Sequence, residues 1–221
     1  MTITQILNRN ARYIPSMEQS QARQSTSVPA IISQALVGQL LGDAFASRSS
    51  PTANTRIEWS FGVNVGAYAN YIATLFGPYC NTGLIRGGTR LKTVTLPLFN
   101  YFHDIFYTLD TVTGRYVKVV PVMIMELMSP IVLAHLIMGD GNYHVAEQYV
   151  RIYTNGFTHA DCIRLAASIT TLGIPTTVRK DKVGLNGEQQ YLLAINKPYM
   201  SKLREVVVPH MHSSMLYRVG L

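Results

Sequence analysis

The chain has 221 residues, of which 48% are hydrophobic and 14% are charged, with a formal net charge of +7. This composition excludes a disordered basic tail and supports a sizeable core, while no apolar run reaches the roughly 18 residues of a membrane span. The positive charge indicates a polyanionic partner without identifying it, and the isolated Cys80 and Cys162 give no zinc spacing and no expected disulfide.

Residues 1–28 are polar and contain Arg9, Arg12 and Arg23 against a single acid, Glu18. We interpret this segment as an N-terminal extension. The same composition also fits an organellar transit peptide, or a basic arm that lies along a nucleic acid.

Residues 36–44 (LVGQLLGDA) predict an apolar helix that ends at Asp43. Gly38 and Gly42 lie four residues apart on one face, which would let a second backbone approach closely. The loop that follows leads into residues 55–64, where apolar and polar side chains alternate and predict a half-buried strand. In isolation its polar face would be a solvated surface.

Three further elements complete the first half. Residues 67–76 have helical spacing with an apolar stripe, residues 84–96 predict a hairpin around Gly87-Gly88, and residues 98–109 predict a second helix. A turn at residues 110–114 then leads to Lys118 and Pro121. The hairpin carries three basic residues, Arg86, Arg90 and Lys92.

Residues 133–141 (LAHLIMGDG) repeat the earlier stretch 97 residues later, with leucine first, glycine seventh and aspartate eighth. Ser129 and Pro130 predict the start of this helix, and Gly141 its end after Asp140. The rest of the half also repeats: a strand at 149–155, a helix from Thr158 to Gly173, a hairpin at 176–195 and a helix at 198–207. This duplication predicts two fused half-domains, residues 29–121 and 122–221.

Two such helices packed side by side would bring Asp43 and Asp140 together at their C-terminal ends. Each acid would face the negative pole of a helix dipole and a like charge, which is unfavourable unless a cation is bound. The sequence therefore predicts a metal site. His210 and His212 form no second metal site without a third ligand.

Both stretches resemble the LAGLIDADG signature of homing endonucleases, and the chain resembles the single-chain, two-repeat members found in organellar introns. His135 stands where the signature has glycine, which affects helix packing rather than the acids. The resemblance implies an α+β fold: a pseudo-two-fold pair of αββαββα half-domains, with the two signature helices packed at the centre and two saddle-shaped antiparallel sheets.

The function implied by the resemblance is a site-specific DNA endonuclease that makes a double-strand break in a long, imperfectly symmetric target and promotes intron homing. It implies Mg²⁺ as cofactor, double-stranded DNA as partner, a monomer, no membrane association and a mitochondrial matrix location. The alternative is an RNA maturase that binds its host intron RNA and assists splicing without cutting DNA. Retention of both acids favours the nuclease and makes a repressor-like DNA binder the least favoured class.

The resemblance also implies residue roles. Asp43 and Asp140, with the backbone carbonyls of Ala44 and Gly141, would hold the metal. Lys118 and Arg218 would stabilise charge on the phosphate, although arginine cannot exchange a proton in this role. The DNA-binding residues would lie on the two sheets: Arg56, Glu58, Ser60, Arg86, Arg90 and Lys92 in the first half, and Arg151, Tyr153, Asn155, Arg179, Lys180 and Lys182 in the second.

Overall fold

A computed structural model describes residues 15–184 and 187–221. Arg9 and Arg12, and part of the predicted turn at 184–187, lie outside the described residues. The helices are α1 (Met17–Gln24), α2 (Ala30–Leu41), α3 (Gly66–Leu75), α4 (Asn100–Phe106), α5 (Ile124–Leu127), α6 (Pro130–Asp140), α7 (His159–Thr170) and α8 (Met200–Val207). The strands are β1 (Phe45–Arg48), β2 (Thr55–Ser60), β3 (Arg90–Lys92), β4 (Tyr107–Asp110), β5 (Arg115–Lys118), β6 (Gly141–His144), β7 (Tyr149–Tyr153), β8 (Thr177–Val183) and β9 (Gln189–Ile195).

The strands form antiparallel sheets, so the predicted α+β class is confirmed. One sheet has the order β1-β2-β3 and another the order β6-β7-β9-β8, while β4 and β5 form a separate hairpin. In both larger sheets the first strand starts within two residues of a signature acid, β1 at Phe45 and β6 at Gly141, and pairs with the next strand along the chain. The sheets therefore hold the same relation to α2 and α6.

Helices α2 and α6 pack directly against each other through Gly38. A Cβ atom on Gly38 would lie 2.4 Å from the carbonyl oxygen of Val132 and 2.6 Å from Cβ of His135. Both helices are apolar on all sides, which is typical of helices enclosed by other elements, and residues 35–41 and 132–138 are all buried. The two signature helices form the centre of the fold.

His135 fits this centre through a buried hydrogen-bond network. The Gln39 amide nitrogen lies 3.2 Å from His135 Nδ1 and donates to the Tyr68 hydroxyl, while Trp59 Nε1 donates to the Gln39 Oε1. Burial lowers the pKa of His135 to about 4, so the ring is neutral at physiological pH. The departure from glycine at this position is accommodated because Gly38 leaves room for the His135 side chain.

The first sheet is shorter than predicted. Ile57 and Trp59 are buried as expected, but β2 ends at Ser60 and the Val63 side chain is 83% exposed. The predicted hairpin at 84–96 contributes only β3 and two isolated bridges, one between Ile85 and Arg90 and one between Leu96 and Thr55. The backbone at Arg86, Gly87 and Gly88 has positive φ, so these residues form a tight turn. Part of the segment that was predicted as a strand therefore belongs to the turn.

The predicted helix at 98–109 is wrong at its end. Helix α4 stops at Phe106, and the next four residues form β4, which pairs with β5. The Tyr107 hydroxyl accepts a hydrogen bond from the Ala46 backbone N–H at 3.0 Å. This long-range contact and the pairing with β5 stabilise the extended conformation that the local spacing does not indicate.

The predictions for the second half are closer to the structure. Val150, Ile152 and Thr154 are buried, and α7 starts from its N-cap Thr158 as predicted, where Thr158 and Asp161 form a capping box. Strands β8 and β9 form the predicted hairpin. None of the helices in the described ranges is long and apolar enough to cross a membrane.

The polar N-terminal segment includes a docked helix. Ser16 and Gln19 form a capping box that starts α1. The Arg23 guanidinium donates to the backbone carbonyls of Pro78 and Cys80. Residues 16–24 are therefore held against the first half of the chain.

Candidate active site

The structure brings the two signature acids together across the helix pair. A Cβ atom on Gly42 would lie 3.2 Å from Oδ2 of Asp140, and one on Gly139 would lie 3.6 Å from Oδ2 of Asp43. Asp140 is the last residue of α6, whereas Asp43 follows the Gly42 cap of α2. The two glycines leave space for the carboxylates to approach each other.

The position of the acids makes their ionised forms unfavourable. Burial and the charge of Asp43 raise the pKa of Asp140 to about 7, while Lys118 and Arg218 act in the opposite direction. Burial also raises the pKa of Asp43, which is the more solvent-exposed of the two acids. A bound cation would relieve the repulsion between the two carboxylates.

Two basic side chains hold the backbone next to the acids. Lys118 Nζ donates to the carbonyl oxygens of Gly42 and Ala44, both at 2.8 Å. Arg218 donates through Nη1 to the carbonyl oxygen of Gly141. Burial lowers the pKa of Lys118 to about 8, although both acids favour its charged form.

Each acid faces its own cleft together with one base. A cleft of about 260 Å³ is lined by Asp140, Lys118 and Asn155, and one of about 300 Å³ by Asp43, Arg218 and Tyr68. The Nε atom of Arg218 is buried and has no hydrogen-bond partner within residues 15–184 and 187–221. The arrangement gives two similar clefts, each with a carboxylate and a basic side chain.

The donor atoms fit a hard divalent cation that keeps several water ligands. In residues 15–184 and 187–221, no group of three or more His, Cys, Asp or Glu side chains could hold a metal. Two carboxylates suffice for Mg²⁺ when water and substrate phosphates supply the remaining oxygens. The carbonyl oxygens of Ala44 and Gly141 accept hydrogen bonds from Lys118 and Arg218, and each retains a second lone pair.

The raised pKa of Asp140 makes the stability of the metal-free protein depend on pH. Between pH 4 and 7 the folded protein keeps a proton that the unfolded chain releases, so stability falls as pH rises. We expect wild type to lose about 2 kcal/mol relative to Asp140→Asn between pH 5 and pH 8. Urea midpoints measured in EDTA at both values test this, with Asp104→Asn as a surface control. Parallel pH profiles for wild type and Asp140→Asn would contradict it.

The first sheet places five of the predicted DNA-binding residues on one face. Glu58 lies opposite Lys92, and Ser60 lies opposite Arg90, while Arg56 alternates onto the same side of β2. Arg56 and Glu58 form an ion pair at 2.8 Å. Arg86 is exposed in the turn that precedes β3.

The second sheet gathers only some of the predicted residues. Arg151 and Tyr153 on β7 share the outer face with Arg179 on β8, and Asn155 lies in the cleft beside Asp140. Lys180 pairs with Tyr191, so the alternation places it on the opposite face of the sheet from Arg179. Lys182 lies in the irregular segment between Lys180 and Val183, where the register shifts.

Two residues near the site were missed from the sequence. Asn142 lies opposite Arg151 on β6 and accepts a hydrogen bond from its guanidinium. Tyr68 lines the cleft of Asp43, and its hydroxyl accepts from Gln39. Asn142 could have been identified from its position two residues after the signature acid Asp140. The helical spacing around Tyr68 indicated only a core position.

The sequence matches the LAGLIDADG DNA endonuclease family over residues 33–203. The chain belongs to this family. The match includes both signature helices, both sheets and Lys118, and ends before Arg218. The resemblance drawn from the two repeated stretches is therefore confirmed.

Two relatives of this chain differ in function: one is a DNA endonuclease and the other is an mRNA maturase. The DNA endonuclease I-ChuI of Chlamydomonas applanata is 33% identical over 132 residues, which cover 58% of this chain and 60% of that protein. The cytochrome b mRNA maturase bI2 of Saccharomyces cerevisiae is 26% identical over 201 residues, which cover 84% of this chain and 46% of that protein. The chain thus spans about half of each relative's length.

A solved LAGLIDADG structure has the same fold. The homing endonuclease I-WcaI, in complex with its DNA recognition sequence, superposes with a TM-score of 0.74 and 15% sequence identity. The superposition covers 96% of both chains. The described architecture therefore has the same fold as I-WcaI.

Proposed function

We propose that this protein is a Mg²⁺-dependent, site-specific endodeoxyribonuclease that makes a double-strand break in a long, imperfectly symmetric DNA target and promotes intron homing. The observation that carries the proposal is the convergence of Asp43 and Asp140, each in a cleft with one cation. Such paired sites match a reaction that must cut two strands. Family membership and the match to I-ChuI support the same activity.

The proposed roles follow from the contacts at the site. Bound Mg²⁺ would supply charge neutralisation and an activated water. Asp43 and Asp140, with the carbonyls of Ala44 and Gly141, would hold the metal. The Lys118 ammonium uses two hydrogen bonds to hold the backbone on either side of Asp43, and its third proton is free for a phosphate oxygen. Arg218 supplies a fixed positive charge for the same purpose in the other cleft.

The two outer sheet faces would hold the DNA, with Arg56, Ser60, Arg90 and Lys92 in one half and Arg151, Tyr153 and Arg179 in the other. Antiparallel strands with alternating polar side chains suit contacts with phosphates and base edges in the major groove. We further propose two half-domains, residues 29–121 and 122–221, that act as a monomer. The match to a cytochrome b mRNA maturase supports an organellar, mitochondrial location.

The experiment that tests this function is incubation of the purified protein with intronless host-gene DNA, with and without Mg²⁺. We expect a defined double-strand break that requires the metal. Specific binding without a break at any divalent metal concentration would contradict the nuclease proposal.

A second candidate function is RNA maturation of the host intron. It is favoured by the match to the yeast maturase, which covers 84% of this chain. Rescue of intron splicing by a variant that cannot cleave DNA would show that both activities occur in one chain. Splicing assistance by a wild-type protein that leaves DNA intact would identify the maturase as the main function.

The basic sheet faces predict a strong salt dependence of DNA binding. Each phosphate neutralised by lysine or arginine releases a counterion, so we expect the affinity to fall by about 10³-fold between 50 and 200 mM salt. Fluorescence anisotropy over a salt series measures the slope. Lys92→Gln should reduce the slope of log affinity against log salt concentration by about 1. An affinity that does not change with salt would contradict binding through these faces.

A further inference from the structure

The two sheets carry opposite charges at one equivalent position. Phe45 lies two residues after Asp43 and pairs with Glu58, whereas Asn142 lies two residues after Asp140 and pairs with Arg151. Both pairings are antiparallel and start from the same distance beyond a signature acid. Glu58 and Arg151 therefore occupy the same place in the two halves.

Arg151 is held in position before any ligand binds. Its Nη2 donates to Asn142 Oδ1 at 3.3 Å, and its guanidinium carbon lies 5.9 Å and 6.0 Å from the ring centres of Tyr149 and Tyr153. Its Nε atom is buried and has no hydrogen-bond partner among the residues that the structure describes. The remaining guanidinium N–H groups can donate to acceptors of a ligand on this face.

The charge around Arg151 is not neutralised by the protein. The Arg179 guanidinium lies 5.0 Å from the ring centre of Tyr149, so two cations share one aromatic ring. Within the described part of the chain, neither arginine forms an ion pair with a carboxylate. This surface thus favours an electron-rich partner.

Glu58 has the opposite character. Its carboxylate forms an ion pair with Arg56 at 2.8 Å and lies opposite Lys92, and it can only accept hydrogen bonds when ionised. In the major groove, arginine pairs with guanine O6 and N7, while a carboxylate accepts from the cytosine N4 amino group. Equivalent positions on the two sheets therefore select different bases.

Resting on the proposed DNA endonuclease function, we propose that Arg151 reads a guanine in one half-site and that Glu58 reads a cytosine at the equivalent position of the other. Because Glu58 and Arg151 are equivalent, each would face the base of the same strand in its half-site, and in a palindromic target these two bases are identical. Guanine for Arg151 and cytosine for Glu58 therefore require a G·C pair in one half-site and a C·G pair in the other. The charge inversion between Glu58 and Arg151 thus makes the target asymmetric at this base pair.

Selection from duplex DNA with a long randomised segment, carried out in EDTA, tests the assignment. Wild type, Arg151→Gln and Glu58→Gln are compared by sequencing the bound fraction. We expect the guanine preference at one position to fall by about 10- to 100-fold in Arg151→Gln, with adenine gained. Glu58→Gln should lose a cytosine preference in the other half-site, and all other positions should remain unchanged.

Two further variants separate base reading from general charge effects. Arg151→Lys keeps the charge but loses the planar fork, so it should also lose the guanine preference while the salt dependence stays the same. Lys202→Gln, on α8 and away from both sheet faces, should leave every preference unchanged. Circular dichroism spectra identical to wild type confirm that each variant is folded.

The outcomes distinguish this inference from the function on which it rests. An unchanged guanine preference in Arg151→Gln, or a uniform loss of affinity at all positions, would overturn the role of Arg151. A palindromic consensus at this base pair would overturn the charge-inversion argument. If wild type enriched no sequence at all, the proposed site-specific function would fail as well.

Discussion

Asp43→Asn and Asp140→Asn are each expected to reduce double-strand cleavage by about 10³-fold or more, while DNA binding remains close to wild type. The asparagine side chain keeps the shape of the acid but removes the charge that would hold a divalent cation, a loss worth several kcal/mol of transition-state stabilisation. Both acids are needed because each lies in a separate cleft. Cleavage of supercoiled plasmid, with nicked and linear products quantified separately, measures the effect.

The matched control is Asp104→Asn. Asp104 is a surface acid whose side chain is 60% exposed and pairs with Arg48, so its replacement should leave cleavage unchanged. Full activity in either signature variant would remove the acids from the proposed mechanism. A parallel loss of DNA binding would instead show that the substitution disturbs the helix pair.

Gly38→Val is expected to destabilise the protein by about 3 kcal/mol or more. A Cβ atom at this position would lie 2.4 Å from the backbone oxygen of Val132, and a backbone atom cannot move aside without displacing α6. Overpacking of a core ordinarily costs about 1–3 kcal/mol, and the upper end applies where the obstacle is rigid. Urea unfolding followed by circular dichroism measures the change.

Gly66→Ala serves as the comparison for this substitution. Gly66 starts α3, and a Cβ atom there would meet nothing within 4 Å, so alanine should leave the stability unchanged or raise it slightly. If Gly38→Val unfolded at the same urea concentration as Gly66→Ala, the close contact between α2 and α6 would not exist in solution.

Patterns confined to one element were predictable from the sequence. The alternation in β2 identified its buried face correctly, and Thr158 identified the start of α7. The boundary at Phe106 was not predictable because a hydrogen bond to Ala46 and the pairing with β5 override the helical spacing. Likewise, the turn at 85–90 depends on backbone angles that residue types alone do not reveal.

The candidate site was also only partly predictable from the sequence. The repeated stretches identified Asp43 and Asp140, because two similar helices with an acid at the C-terminal end place those acids in equivalent positions. The pairing of Lys118 with the Gly42 and Ala44 carbonyls spans more than 70 residues, and no local pattern encodes such a contact. The face of Lys180 depends on the strand register, which follows the pairing with β9.

The sequence by itself determined the duplication, the two acids, the family and the polar faces of the central strands, because these depend on residue type and short-range spacing. Only the tertiary structure decided which cation joins which acid, which basic residues share a face, and that Glu58 and Arg151 are equivalent. These depend on register and on contacts between distant segments, which form only when the two halves pack around α2 and α6.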